Sequence, residues 1–534
     1  MAQIEGVLAT APESPMVVAE GGLGPGRPGV ADLVLRASLE RELKFDVDAA
    51  FVPPRLAGSL GRWEPLPTQH LRTVYFDTDD RRLWAAGLTL RHRTGEEPGG
   101  GAWTLKLPAP GGGPTLDRTE LTWPGTDERI PAEASRMVLG AVRSRALCRL
   151  VQLDSVRCRA WLRDGDGGRL GELDDDTVVV TGGDRDGSGF RQIEFEVAAE
   201  RTSVVEQVQT RFEQAGARNS SEQKLAKAIS LPTPGWFSVV APDRAATVGE
   251  VVRRACAQAL RHLVGADLLI RLDPGDPLVE SVHQARVATR RLRSDLKLLS
   301  PFLDPGWVAP VRAELRWLGA VLGGVRDADV LVSIFESETD GSSFDADGRD
   351  ELRCRLVRQR QDRGRALADA MSDARYLELL DVLERAAAQG PPARAGSDPG
   401  PVAPLLARLV RKRQHALRRA VGKVGRHPSH LQMHGLRIRA KELRYAAEMA
   451  SPVLGPRARR TAQTIVIVQD TLGEFHDTVT AEEWLRQQAR ESSVAASYAA
   501  GRMAAEQYLD RRRLHRRWKS VWDQVDHSWQ SIRP

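Results

Sequence analysis

The hydrophobic pattern of the chain changes at about residue 247, and this change constrains the fold more than any other feature. Between about residues 33 and 200, short stretches alternate polar and apolar residues and are separated by turns rich in Gly, Pro and Asp. That pattern is typical of antiparallel strands. From Thr247 onward the pattern is helical and rich in Ala, Leu and Arg. The sequence therefore predicts a multidomain protein in which a β domain precedes an all-α domain.

The breaks in the chain predict where these domains begin and end. A chain of 534 residues is longer than one hydrophobic core usually accommodates. Gly- and Pro-rich segments mark boundaries, as they do in linkers. They predict a flexible leader at 1–30, a strand domain at 31–232, a linker at 233–246 and a helical domain at 247–534. A further break at 386–404 divides the helical domain into a first half at 247–385 and a second half at 405–534.

Charge is distributed unevenly between the two parts. Residues 1–240 hold 29 Lys and Arg against 34 Asp and Glu, a net charge of −5. Residues 241–534 hold 48 against 37, a net charge of +11. A strongly basic half indicates a polyanionic partner for the helical domain.

Cysteine usage and hydropathy favour a cytoplasmic location. The cysteines are Cys148, Cys158, Cys256 and Cys354, and they form no CxxC pair, so neither a zinc site nor a disulfide framework is predicted. No apolar run reaches the ~20 residues of a membrane span. We therefore expect no membrane partner.

A basic phrase occurs twice in the helical half. HQARVATRRLR at 283–293 is matched by HGLRIRAKELR at 434–444, an offset of 151 residues. LGGVRDADVL at 322–331 is matched by LGEFHDTVTA at 472–481, an offset of 150. Two matched blocks at nearly one offset predict a tandem duplication of a helical unit.

On a helix, the basic side chains of each phrase share one face. In the first copy these are His283, Arg286, Arg290, Arg293 and Lys297, and in the second copy His434, Arg437, Lys441 and Arg444. A solvated helix face usually mixes charge signs, because like charges at these spacings repel by about 0.2–0.5 kcal/mol per pair. A face of one sign kept in both copies indicates an external anion.

The strand half shows a related pattern of charges on one face. Glu40, Glu42 and Lys44 alternate along one predicted strand, and similar alternation occurs at Arg91 and Arg93, Arg118 and Glu120, Arg157 and Arg159, and Glu194 and Glu196. A single solvated strand would explain one such stretch, but at least five strands share the pattern. A closed barrel would gather these charges around an internal cavity. Buried charge is costly unless metal ions and an anionic ligand compensate it.

These strand residues resemble the CYTH domains, the triphosphate tunnel metalloenzymes. The resemblance covers about residues 33–230. It rests on Glu40-x-Glu42-x-Lys44, which matches the ExExK motif, followed in order by YFDT (75–78), GLTLRHR (87–93), WTLK (103–106), RTE (118–120), ELDDD (172–176) and IEFE (193–196). It implies an eight-stranded antiparallel β-barrel, or tunnel, that acts on triphosphate substrates with Mg²⁺ or Mn²⁺.

The resemblance also implies roles for individual residues. Glu40 and Glu42 would hold the metal ion that binds the triphosphate, and Glu194 and Glu196 would hold a second metal ion or position the attacking water. The cations expected to bind phosphoryl oxygens are Lys44, Arg91, Arg93, Lys106, Arg118, Arg157, Arg159 and Lys224. Gln223 stands before Lys224, where the family usually has a serine.

The repeated helical motifs resemble the CHAD domain, the conserved-histidine α-helical module, over about residues 247–534. This family implies two pseudo-repeated four-helix bundles with a basic groove between them, and binding of inorganic polyphosphate. The residues carried over are His283, Arg286, Arg290, Arg293, Lys297, Arg326, His434, Arg437, Lys441 and Arg444. Aromatic residues make up only 5% of the chain, which disfavours single-stranded nucleic acid as the partner, since its bases need stacking surfaces.

Together these observations predict metal-dependent hydrolysis of a triphosphate, with inorganic tripolyphosphate favoured, coupled to binding of long-chain polyphosphate. The expected location is the cytoplasm, including polyphosphate granules. Two alternatives stay open at this point. One is a non-catalytic scaffold in which both modules bind polyphosphate, and the other is an enzyme for an organic triphosphate such as thiamine triphosphate or ATP.

Overall fold

The computed structural model describes residues 38–530 of the chain apart from nine internal gaps. The gaps are 56–60, 98, 108–115, 127, 198–201, 231–241, 338–344, 398–399 and 426–427, and the side chains of 38–41, 116–119, 202–203, 337 and 530 also fall outside the description. The predicted leader at 1–30 and most of the predicted linker at 233–246 therefore lie outside the described residues. The chain divides after residue 233 into two compact units.

The first unit consists mainly of strands. The strands are β1 (Ser38–Asp46), β2 (Arg62–Asp77), β3 (Thr89–Thr94), β4 (Gly101–Lys106), β5 (Leu116–Pro124), β6 (Cys148–Arg163), β7 (Arg169–Thr181), β8 (Gly189–Val197) and β9 (Arg218–Asn219). The helices are α1 (Arg82–Ala85), α2 (Ala132–Met137), α3 (Leu139–Val142), α4 (Thr202–Gln214) and α5 (Lys224–Ala228).

The strands form one antiparallel sheet in the order β5-β4-β3-β2-β6-β7-β8-β1-β9. β1 pairs with β8 and also with β5, so that strands far apart in this order also meet. The predicted antiparallel N-terminal sheet is confirmed. The ladder between β1 and β5 spans residues 38–42, most of whose side chains lie outside the described residues, and the closed eight-stranded barrel stays a prediction.

Alternation along β1 and β8 separates an apolar face from a charged face. Leu43 and Phe45 are fully buried, and the Phe45 ring stacks on Phe212 of α4 with 4.9 Å between centroids. Phe195 of β8 belongs to the same apolar cluster. Because successive side chains of a strand point to opposite faces, the neighbouring charged residues face away from α4. The hydrophobic core beneath α4 thus fixes the direction in which the charged side chains point.

The second unit is helical, as predicted. Its helices are α6 (Val248–Leu272), α7 (Val279–Leu299), α8 (Pro305–Ser337), α9 (Ala346–Ser372), α10 (Ala374–Gln389), α11 (Val402–Gly422), α12 (His430–Leu454), α13 (Pro456–Glu491) and α14 (Val494–Gln530). None of the helices in the described part of the chain is long and apolar enough to cross a membrane.

Local capping explains where the main helices begin. At the start of α6, the Thr247 hydroxyl accepts a hydrogen bond from the Glu250 N–H, and the Glu250 carboxylate accepts one from the Thr247 N–H at 2.6 Å. Ser429 and Gln432 form the same reciprocal pair at the start of α12. Such capping boxes satisfy N–H groups that have no partner within the helix.

The break between the two helical halves is shorter than the predicted 386–404. α10 continues through Gln389 and α11 begins at Val402. The residues at 386–389 are AAAQ, which favour helix, whereas Gly390 and the two prolines after it end the helix. The prediction placed the boundary too early because it grouped these alanines with the Gly- and Pro-rich segment.

The first half contains five helices within the described residues, not the four predicted. The segment between Ser372 and Ala374 interrupts what would otherwise be one long helix, since Asp373 accepts a hydrogen bond from the Arg375 N–H at 2.8 Å and starts α10. In the second half, α14 runs without interruption. The pseudo-repeat of two four-helix bundles stays a prediction.

The two helical halves share part of their core. Leu331 of α8 and Leu356 of α9 pack in one cluster with Leu485 of α13 and Met503 of α14. A separate core within the second half contains Leu443 of α12 and the α14 tryptophans at 518, 522 and 529. The shared cluster fixes the second half against the first, and therefore sets how the helices that carry the two basic phrases approach one another.

Candidate functional site

The charged face of the sheet surrounds a cavity of about 420 Å³, called here the strand cavity. Every strand from β1 to β8 contributes to it, together with the start of α5. Its lining residues are Glu42, Lys44, Tyr75, Thr89, Arg91, Arg93, Glu96, Ala102, Thr104, Lys106, Glu120, Thr122, Arg157, Glu172, Asp174, Glu194, Glu196, Gln223 and Lys224. Nine residues predicted from the sequence are therefore brought together: Glu42, Lys44, Arg91, Arg93, Lys106, Arg157, Glu194, Glu196 and Lys224.

Three predicted residues are not among those lining the strand cavity. Glu40 and Arg118 lie opposite one another on β1 and β5, but their side chains are outside the described residues. Arg159 lines a second cavity, of about 690 Å³, that we call the vestibule. Glu96 lines both cavities, so the vestibule adjoins one end of the strand cavity.

Register brings three carboxylates side by side. Glu42 of β1 is directly opposite Glu196 of β8, and Glu196 is directly opposite Glu172 of β7. Directly opposed residues on an antiparallel pair have Cβ atoms about 4.5–5.5 Å apart. Glu172 was not predicted as a site residue, although it begins the ELDDD motif.

Lys44 joins the carboxylates of β1 and β8. Its Nζ lies 2.9 Å from both Glu42 Oε1 and Glu194 Oε1. Burial alone would lower the pKa of Lys44, but the charges of Glu194 and Glu42 outweigh burial and raise it. For Glu194, burial is outweighed by Lys224 and Lys44, which hold the carboxyl pKa well below its usual range. Both groups are therefore ionised at neutral pH.

A buried ion-pair network borders the strand cavity where β6, β7 and β8 meet the start of α5. Arg157 donates two hydrogen bonds of 2.8 Å to the carboxylate of Asp176, which is only 1% exposed. Lys224 of α5 lies 2.7 Å from Asp176 and also pairs with Glu194. Burial opposes ionisation of Asp176, but Lys224 and Arg157 lower its pKa to about 2. Asp176 holds two predicted phosphate-binding cations in place, and it was not among the site residues predicted from the sequence.

Asp174 differs from these paired carboxylates. One oxygen pairs with Arg157, whereas Oδ1 accepts no hydrogen bond from any described residue and lies 3.6 Å from Arg159 Nε. Burial raises the pKa of Asp174 to about 6, Arg157 opposes the rise, and Asp176 and Glu194 add to it. A carboxylate with a free oxygen and a pKa near neutrality is suited to accept a proton.

No group of three or more His, Cys, Asp or Glu residues in the described part of the chain is arranged as a metal site. The donor set nevertheless suits a hard divalent cation, because carboxylate oxygens are its preferred ligands. Asp174 Oδ1 is buried, accepts no hydrogen bond within the described residues and lies 3.6 Å from Arg159 Nε. Glu42 and Glu194 are engaged by Lys44 in this structure.

A second strongly charged site lies in the helical unit between α7, α8, α11 and α12. This cationic cavity has a volume of about 420 Å³. Its basic residues are Arg290, Arg293, Lys297, Arg312, Arg316, Arg413, Arg437 and Lys441, accompanied by the single acidic residue Glu442. Arg312 and Arg316 were not predicted. Their i, i+4 spacing on α8 was visible, but nothing in the sequence indicated which helix α8 would face.

The other predicted anion contacts lie in a neighbouring mixed cavity of about 400 Å³. His283, Arg286 and Arg326 line it together with four carboxylates: Asp327, Asp470, Glu474 and Asp477. Arg290, Arg437 and Lys441 line both cavities and form the wall that they share. The single basic face predicted for each phrase is therefore divided between two environments.

Two predicted residues line neither of these two cavities. Arg444 donates a hydrogen bond of 2.7 Å to Glu448, an i, i+4 pair on α12. The His434 ring lies 5.3 Å from the ring of His476. Their roles as anion contacts stay predictions.

Crowding by like charges dominates the electrostatics of the shared wall. Burial, reinforced by Arg290 and Arg437, lowers the pKa of Lys441 to about 6. The Nε atoms of Arg290, Arg312 and Arg437 are buried and have no hydrogen-bond partner among the described residues. Buried donors are almost always paired in folded proteins. This cluster is therefore suited to bind a ligand that supplies acceptor oxygens.

The fold and the two sites define a two-module protein, in which a charged cavity within an antiparallel sheet is followed by a cationic helical unit. The model of the CHAD domain family matches residues 254–486. The uncharacterised protein Rv2226 of Mycobacterium tuberculosis is 32% identical over 485 residues, which is 86% of this chain and 90% of that protein. The chain contains a CHAD domain and belongs to the same family as Rv2226.

Solved structures with similarity to parts of the chain include a plant CHAD domain and a plant triphosphatase. The CHAD domain of the plant Ricinus communis is 23% identical and covers 54% of this chain and 95% of its own, with a TM-score of 0.46. HpAC1 from Hippeastrum, a protein with a dominant triphosphatase activity, is 15% identical and covers 36% of this chain and 99% of its own, with a TM-score of 0.24.

Proposed function

We propose that the strand unit hydrolyses inorganic tripolyphosphate with the help of a divalent cation. The observation that carries this proposal is the strand cavity, which gathers cations and carboxylates from seven strands into one space of about 420 Å³. Among its described lining residues, only Tyr75 and Ala102 offer apolar surface. A substrate consisting of phosphate alone suits that lining better than one with a thiamine or adenosine group, which needs apolar contact.

The cations of the strand cavity would bind and orient the phosphate chain. Lys44, Arg157 and Lys224 are held by buried carboxylates, so they need little rearrangement when substrate arrives. Fixed positive charge that faces the phosphoryl oxygens stabilises the charge of the transition state. Arg91, Arg93 and Lys106 extend the same lining across β3 and β4.

The carboxylates divide into two groups with different tasks. Glu42, Glu196 and Glu172, with Glu40 on the same strand as Glu42, supply oxygen ligands suited to Mg²⁺ or Mn²⁺. Such an ion would add positive charge against the phosphoryl oxygens. Asp174 would accept the proton of the attacking water, since its free Oδ1 lies in the cavity wall and its pKa of about 6 leaves it ionised at neutral pH.

The test is release of orthophosphate from four substrates: tripolyphosphate, ATP, thiamine triphosphate and long-chain polyphosphate, each with Mg²⁺, with Mn²⁺ and with a chelator. We expect the fastest release from tripolyphosphate and none with the chelator. Faster release from thiamine triphosphate or ATP would favour an organic substrate. No release from any substrate with either metal ion would leave the non-catalytic scaffold as the better explanation.

We further propose that the helical unit binds inorganic polyphosphate at the cationic cavity. The specific observation in favour is the set of three buried guanidinium Nε atoms without acceptors, at Arg290, Arg312 and Arg437. Single-stranded nucleic acid is a poorer fit, because the cavity's aromatic residue, Tyr445, is buried and lies 5.5 Å beneath the Arg290 guanidinium, so no exposed ring offers a stacking surface there. Binding of this kind would bring the protein to polyphosphate deposits in the cytoplasm.

Polyphosphate binding is expected to take up a proton at Lys441. The free amine has a pKa of about 6 because burial and the neighbouring Arg290, Arg437 and Arg286 oppose its charge, and a bound anion would raise that pKa. Affinity should therefore be greatest below pH 6 and fall as the pH rises through neutrality. Isothermal titration calorimetry in buffers of different ionisation enthalpy measures the uptake directly.

The matched variants for this prediction are Lys441→Met and Lys412→Met. Lys412 is exposed on α11, so its replacement should leave proton uptake unchanged, whereas Lys441→Met should reduce it at pH 7. Equal proton uptake by the two variants would contradict the assignment to Lys441.

A further inference from the structure

We infer that the cationic cavity holds the end of a polyphosphate chain and not its middle. This inference rests on the proposed binding of polyphosphate by the helical unit and specifies which part of the chain is recognised. It is carried by the way charge is arranged along the cationic cavity and the adjoining mixed cavity.

The outer side of the cationic cavity is open to solvent. The side chain of Lys297 is 56% exposed, and Arg316 is exposed on α8. These residues form the approach to the cavity. A phosphate chain reaching the cavity from solvent would pass them first.

The inner side ends at the shared wall of Arg290, Arg437 and Lys441. Two of these residues, Arg290 and Arg437, have a buried Nε without a partner among the described residues. The wall therefore places two buried, unpaired donors where the cationic cavity meets the mixed cavity.

Beyond the wall, the four carboxylates of the mixed cavity outnumber its two further arginines, Arg286 and Arg326. The mixed cavity places Asp327 of α8 and Asp470, Glu474 and Asp477 of α13 where a continuing chain would have to pass. Arg286, on the same side, lies only 3.7 Å from Asp327 and is partly neutralised. A polyanion is repelled by such a surface, so the favourable path stops at the wall.

The chemistry of the ligand matches this arrangement. An internal phosphate of a linear chain carries one negative charge, whereas a terminal phosphate has a second ionisable oxygen with a pKa of about 6, as in a phosphate monoester. The end of the chain thus carries more charge and more acceptor oxygens than any internal unit. The densest group of unpaired donors lies where that end would stop.

The first test is the stoichiometry of binding to the full-length protein at moderate salt. A chain has two ends, so no more than two protein molecules should bind per polyphosphate chain, and this number should stay constant as chain length increases. A number that grows in proportion to length would overturn the inference. If unmodified chains do not bind at all, the proposed binding of polyphosphate is itself wrong.

The second test uses long-chain polyphosphate whose terminal phosphates are blocked as phosphoramidates of a neutral amine. We expect blocked chains to bind about tenfold or more weakly than unmodified chains of the same length, a difference of about 1.4 kcal/mol. Equal affinity for the two ligands would overturn the inference.

Variants of the mixed cavity provide an independent check. Asp327→Asn combined with Asp477→Asn removes two of the carboxylates beyond the wall and should let a chain continue past it. We expect this double variant to regain most of the affinity for blocked chains while its affinity for unmodified chains changes little. An unchanged preference for unmodified chains in the folded variant would contradict the role of the carboxylates.

Discussion

Release of phosphate from tripolyphosphate is expected to fall by about a hundredfold or more when Glu42 and Glu196 are both replaced by glutamine. The two residues are directly opposed on β1 and β8 and line the strand cavity. Glutamine keeps the size of each side chain but removes the negative charge that a divalent cation requires. Initial rates at saturating metal and substrate measure the loss.

Two controls separate lost chemistry from lost structure. Glu213→Gln on α4 changes an exposed glutamate that does not line the strand cavity and should leave the rate unchanged. The double variant should be less stable than the native protein but still folded, because Lys44 keeps its pair with Glu194 and glutamine can still accept a hydrogen bond from Lys44. A double variant that is folded and fully active would refute the assignment of these carboxylates.

Replacement of Arg157 by methionine is expected to lower the free energy of unfolding by about 3 kcal/mol. Arg157 is buried and donates two hydrogen bonds to Asp176, and it also pairs with Asp174. Its removal leaves buried carboxylates with fewer partners, although Lys224 still contacts Asp176. Chemical denaturation at pH 7 measures the change.

The pH dependence distinguishes this mechanism from simple loss of packing. In the native protein the pKa of Asp176 is lowered to about 2, so its ionised form stabilises the fold above a pH of about 4, and that contribution is lost as the pH falls towards 2. Without Arg157 the contribution shrinks, so the gap between variant and native protein should be smaller near pH 2 than at pH 7. Arg72→Met, which breaks an exposed pair with Glu128, should cost less than about 1 kcal/mol at either pH. If Arg157→Met also lowers the free energy of unfolding by less than about 1 kcal/mol, the structural role of the Arg157–Asp176 pair is contradicted.

The charged face of β1 and β8 could be predicted from sequence because period-2 alternation is unambiguous there. Glu42 and Lys44 alternate with Leu43 and Phe45, and the apolar residues pack under α4. The acids of β7 could not be assigned in the same way. In ELDDD three aspartates follow one another, so alternation does not show that Asp174 faces the cavity.

In the helical unit, the sequence predicted which side chains share a helix face but not what that face meets. Arg286 and Arg290 lie on one face of α7, yet Arg286 meets Asp327 of α8, whereas Arg290 also lines the cationic cavity. Arg312 and Arg316 belong to the cavity only because α8 packs beside α7. The spacing of residues along one helix does not show which other helices pack against it. The division of the basic face between two cavities depends on those neighbouring helices.

The ion pairs of Lys224 have a consequence for how products would leave. Lys224 lies 2.7 Å from Asp176 and also pairs with Glu194. Because this cation is already shared between two carboxylates, it would attract a phosphate fragment less strongly than an unpaired lysine would. A fragment produced beside Lys224 would therefore dissociate more readily than one held by unpaired cations.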